Sequence, residues 1–68
     1  MEMFVVFGGY DCEGENVVGV FADITSAQAC FEEEVADNGY DFVGIREYQG
    51  RAHRQIAYQR LAEECDFI

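Results

Sequence analysis

The sequence predicts an α+β domain of order β-β-α-β-α, with a three-stranded antiparallel sheet of spatial order 2-1-3 packed with two helices. Three observations carry that prediction. Short runs rich in β-branched and aromatic residues stand at 3–7, 17–22 and 40–48, a capped helical pattern lies between the second and third runs, and helix-forming residues fill 52–64. No linker, repeat or shift of composition divides the 68 residues, so 1–68 is read as a single domain.

The first run, MFVVF at 3–7, ends at Gly8-Gly9, and the second is VVGVFA at 17–22. Between them Asp11-Cys12-Glu13-Gly14-Glu15-Asn16 is polar and contains a glycine, as a hairpin connection requires. Thr25 or Ser26 is then placed to cap a helix, because Gln28 follows Thr25 in the T-x-x-Q capping-box pattern, and Asn38-Gly39 supplies a left-handed stop. Inside that helix Ala27, Phe31 and Val35 share one face, with Cys30 at its edge. YDFVGIREY at 40–48 reads as the third strand. From about 52 to 64 the residues favour helix, and Ala57, Tyr58, Leu61, Ala62 and Cys65 form one apolar stripe. Away from that stripe Ile56 and Phe67 group with Arg60 and Glu63, a second apolar spot suited to self-association.

A right-handed crossover through the first helix brings the third strand parallel to the second, so the first strand belongs between them and every neighbouring pair is antiparallel. The strands are apolar on both sides: Met3, Val5 and Phe7 oppose Phe4 and Val6, and Val18 and Val20 oppose Val17 and Phe21. One face suits the first helix. The other calls for the terminal helix and a second chain, since a chain this short buries only about 60% of its unfolded surface. Gly19 and Gly44, each in mid-strand, read as places where backbone or a helix comes close.

Charge is the unusual quantity. Fourteen Asp and Glu against four Lys and Arg give a net charge of −10, while half of the chain is apolar, which excludes a charged disordered tail and a collagen-like repeat. Residues 1–45 hold ten acids and no Lys or Arg, whereas 46–60 hold all four arginines against Glu47 alone. Free nucleic acid and anionic membrane are therefore poor partners, and a basic protein is favoured. The hairpin acids Asp11, Glu13 and Glu15, with Glu32, Glu33 and Asp37 of the helix, are the expected contact set. Glu34 falls between Ala27 and Cys30 around the helix, so its carboxylate needs a partner, expected to be an arginine from 46–60. In the predicted second helix Arg51 and Arg54 near the start, and Glu63 and Glu64 near the end, would oppose the helix dipole, which favours docking of its arginine-rich start on the chain's own acids.

The chemical motifs are few. Asp11, Glu13 and Glu15 match positions 1, 3 and 5 of a calcium loop, but Asn16 stands where that loop needs glycine and Ala22 where it needs glutamate. Cys12, Cys30, His53 and Cys65 match a Cys3His zinc site in number only, being scattered along the chain. Phosphate-binding glycine loops and nucleophile elbows are missing from the sequence. No catalytic residue, metal or cofactor is expected. An odd number of cysteines without C-x-x-C pairing reads as structural free thiols, and a start without a basic region, together with no apolar run near roughly 18 residues, leads to an expected cytoplasmic location.

FVVFGGY at 4–10, VVGVFAD at 17–23, SAQACFE at 26–32 and YDFVGIREY at 40–48 together resemble small domains of unknown function from bacteriophage and prophage genomes. The likeness covers about the first 48 residues, leaves out the end of the chain and carries over no functional residue. It implies a phage accessory protein similar to acidic inhibitors of host defence, such as anti-CRISPR and anti-restriction proteins. With the charge, the expectation is a non-enzymatic DNA mimic that binds a basic, nucleic-acid-binding host protein. The alternative is a homodimeric regulatory or assembly module.

Overall fold

The computed structural model describes residues 2–61, which form β1 (Glu2–Tyr10), β2 (Gly14–Phe21), α1 (Ile24–Asp37), β3 (Phe42–Gln49) and β4 (Ala52–Arg60). The strands make one antiparallel sheet of order β2-β1-β3-β4, so the predicted 2-1-3 arrangement is present and is extended by a fourth strand. The predicted second helix is the error. Residues 52–60 pair with β3 instead, from Gln49↔Ala52 to Phe42↔Arg60.

The physical reason lies outside the segment. Helix preference among Ala, Gln, Arg and Tyr differs by only a few tenths of a kcal/mol per residue. A bare β3 edge would leave a row of backbone donors and acceptors unpaired. Gly50, at φ 59°, opens the two-residue turn Gly50-Arg51 that folds β4 back. With no helix there, the predicted conflict between Arg51, Arg54 and a helix dipole does not arise. Of the predicted terminal stripe, Ala62 and Cys65 lie outside the described residues, as do Glu63, Glu64 and Phe67.

α1 starts two residues earlier than its capping pattern indicates. Asp23, in extended conformation at φ −131°, is the N-cap and accepts the Ser26 N–H on Oδ2 at 2.8 Å, in place of Thr25 or Ser26. The expected left-handed stop is at Asn38, φ 55°, whose N–H bonds the Glu34 carbonyl.

Phe4 and Val6 of β1, Val43 and Ile45 of β3 and Ala27 of α1 form the buried core, with Phe31, Val35 and Cys30 packed against it. A bulge in β2 corrects the predicted strand faces. Phe4 pairs with Phe21 and Phe7 with Val17, with one extra β2 residue between, so Val18 and Phe21 face the helix while Val17 and Val20 share the other side. Gly44 has the close backbone that was expected, since a Cβ there would lie 2.9 Å from the Ala57 carbonyl, and it would also drive into the Phe7 ring. No helix among the described residues is long and apolar enough to cross a membrane.

Candidate protein-binding surface

The strand register decides where the charges go. On the face of the sheet away from α1, Arg46 of β3 reaches Glu15 of β2 with both nitrogens, Nη1 to Oε1 at 3.0 Å and Nη2 to Oε2 at 3.4 Å. The same guanidinium lies 4.4 Å from the centre of the Phe7 ring. Hydrogen bonding to Glu15, then to Tyr48, pushes the Arg46 pKa up and keeps the pair ionised. Arg60 of β4 donates from Nη2 to Asp11 Oδ2 at 2.5 Å, and Arg54 donates to its cross-strand neighbour Glu47 at 2.8 Å. The Arg60 Nε is left buried without an acceptor, a cost accepted at that pair.

Glu34 is thus not the arginine partner it was expected to be, because Arg46, Arg54 and Arg60 go to Glu15, Glu47 and Asp11. Glu34 acts nearer home. Burial first, then the Glu34 and Glu33 carboxylates, raise the Cys30 thiol above its ordinary pKa. The internal docking of arginines on acids does occur, but onto the hairpin and β3 rather than from a helix start.

The six acids read from the sequence are therefore divided. Asp11 and Glu15 are neutralised by arginines from strands far along the chain. Glu13 stands exposed in the hairpin turn, and Glu32, Glu33 and Asp37 are exposed on α1. The Tyr10 hydroxyl donates to the Gly39 carbonyl at 2.9 Å, which ties the hairpin end of β1 to the chain just beyond α1. Asp37 and the hairpin turn consequently sit at one end of the molecule. Asp41 secures that end: its carboxylate accepts the Asp11 N–H at 3.0 Å, its N–H donates to the Gly9 carbonyl and its carbonyl accepts the Leu61 N–H. Its sequence signal was a turn-forming Asp just before a strand, which the charge count alone concealed.

α1 arranges its acids in an unusual way. No acid lies in its first turn and no base in its last, while Glu32, Glu33, Glu34 and Asp37 all fall in its second half. Each exposed carboxylate near a helix C-terminus opposes the dipole, at roughly 0.3–1 kcal/mol at low salt. The stabilising acid is Asp23, at the other end.

The predicted self-association spot loses the helix on which it was built. It depended on helical spacing, whereas Ile56 occupies a bulge of β4 and Arg60 lies four residues along an extended strand, engaged with Asp11. Phe67 lies outside the described residues. The metal candidates also separate: Cys30 packs against the helix-side core, while His53 meets the Tyr48 ring edge-on at 5.3 Å on the opposite face. Among the described residues no group of three or more His, Cys, Asp and Glu is assembled that could hold a metal ion. What the sequence missed is the open face itself, where Phe42 stacks on Tyr58 at 5.8 Å beside Phe7 and Arg46. The pattern needed to see it was the alternation His53, Gln55, Tyr58, Arg60, interrupted by the Ile56 bulge. No family model, curated protein or solved structure matches this chain.

Proposed function

We propose that this protein is a non-enzymatic phage accessory protein that works in the host cytoplasm. It inhibits a basic, nucleic-acid-binding defence protein in the manner of an anti-CRISPR or DNA-mimic inhibitor. One observation supports this reading above the others: α1 gathers exposed Glu32, Glu33 and Asp37 in its second half, with Asp37 in the last turn where the dipole disfavours it and no basic residue there to offset it. A cluster of exposed acids that no base of its own helix offsets is suited to a basic partner. Arginine clusters that grip phosphate also grip carboxylates, and attraction across several such pairs speeds encounter. The contact set centres on Glu32, Glu33 and Asp37, with Glu13 in the hairpin turn at the end of the molecule where α1 stops. Asp11 and Glu15 contribute through the shape of the hairpin that Arg60 and Arg46 hold.

The test is capture. The immobilised protein is expected to retain basic nucleic-acid-binding proteins from a host extract, and both salt and added DNA should displace them. The triple variant Glu32→Lys, Glu33→Lys, Asp37→Lys should lose them. Retention of the same proteins by the triple variant would overturn the reading. A homodimeric assembly role is the second reading, favoured by Met3, Val17, Val20 and Tyr58 exposed on the open face.

A further inference from the structure

β2 is an edge strand, bonded to β1 on one side with no described strand on the other. Edges of this kind are ordinarily guarded by charge, proline or bulges. β4, the opposite edge, carries His53, Arg54 and Arg60 as well as its bulge. β2 has a bulge too but differs in charge, because residues 16–22 (NVVGVFA) contain no charged side chain in a chain with fourteen acids. Of the two acids that flank this stretch, Glu15 is neutralised by Arg46 and Asp23 is engaged as the N-cap of α1. Val17 is 66% exposed and Val20 53%, and both lie on the open face beside Met3 at 45%. A cleft of about 440 Å³ lined by Met3, Val20, Phe21 and Tyr48 continues this apolar strip past the end of the strand.

We propose that β2 pairs antiparallel with β2 of a second copy of this chain, joining two four-stranded sheets into one of eight strands around a twofold axis. The bulge selects both the occupant and the register. By placing Val17 and Val20 on one face and Val18 and Gly19 on the other, it makes the strand symmetric about the Val18–Gly19 bond. Centred there, Val17 of one copy faces Val20 of the other on the open side, Val18 faces Gly19 on the helix side, and Asn16 faces Phe21. Each side chain meets one on its own face, and no charge meets a charge. An unrelated partner strand would have no reason to match that symmetry. Two copies of net charge −10 repel over most of their surface, and this neutral edge is where they approach at least electrostatic cost. The gain is burial that a core of six buried hydrophobic side chains among the described residues leaves wanting.

The surface is independent of the acidic face of α1, and salt separates the two. Screening weakens docking of carboxylates on a basic protein but relieves repulsion between like-charged copies. Light scattering and sedimentation over a concentration series are expected to show a dimer that tightens as salt rises. The double variant Val17→Lys, Val20→Lys should weaken dimerisation by about tenfold or more, since like charges opposite one another across strands repel. Ile56→Lys on the far edge should leave it intact. Amide exchange on the unaltered protein supplies a readout that needs no variant: β2 amides should gain protection with concentration, and β4 amides should not. A wild-type protein that stays monomeric at all concentrations and salts overturns the proposal. So does a dimer that survives the double valine variant in folded form, or one that protects β4 in place of β2.

Discussion

The helix-covered face of the sheet excludes water with a second layer, whereas the open face does so with its own side chains. On the covered side Phe4, Val6, Val43 and Ile45 are sealed by Ala27 and its neighbours on α1. On the open side Phe7 is only 2% exposed although no described element lies over it. Arg46 roofs the ring, Phe42 meets it edge-on at 6.4 Å, and Gly44 opposite gives it room. The contrast teaches where the scarce positive charge of this acidic chain is used. Arg46 and Arg60 face the open side and neutralise Glu15 and Asp11, and Arg54 pairs with Glu47 on the helix side, so Glu32, Glu33 and Asp37 of α1 are not the acids these three arginines serve.

The comparison breaks most visibly at Ile45, 1% exposed beneath α1. Ile45→Ala should cost about 2–5 kcal/mol, whereas Val20→Ala on the open face should stay within about 0.5 kcal/mol; urea unfolding of both variants checks this. Equal losses would mean that the open face is sealed by something else. Gly44→Ala comes next, at about 1–3 kcal/mol from overpacking against Phe7, read from the same unfolding midpoints. Arg46→Met keeps an aliphatic cover but removes the cation, and should cost about 1 kcal/mol from the ring contact. A double-mutant cycle with Glu15→Gln should find only a small coupling, since Glu15 is 44% exposed and solvent screens the pair.

On the helix side the sign reverses. Asp37→Lys, in the last turn of α1, should raise stability by about 0.3–1 kcal/mol at low salt, an effect that fades as salt is added. A variant that gains stability while losing a basic partner would show that this acid serves binding and not folding. The smallest effect concerns Cys30. Its folded-state pKa is raised, so its contribution to stability is complete below its ordinary value of 9.0 and is lost as pH climbs through the elevated one. Stability should therefore fall faster above pH 9 than in Cys30→Ala, as alkaline unfolding curves would show.

β1, β2, α1, β3 and their 2-1-3 order were legible because each depends on neighbours in the chain: an apolar run, a polar hairpin, a helical period that stops at Asn38. The acidic character of α1 was legible for the same reason. Tertiary structure alone decided β4, since the bare edge of β3 outweighed weak helix preferences once Gly50 turned the chain back. It also decided the Val18 bulge, which reassigns Val17 and Val20 to one face. The split among the acids was settled in the same way. Arg46 meets Glu15 across 31 positions of sequence and Arg60 meets Asp11 across 49, and no local periodicity encodes contacts that only sheet register creates.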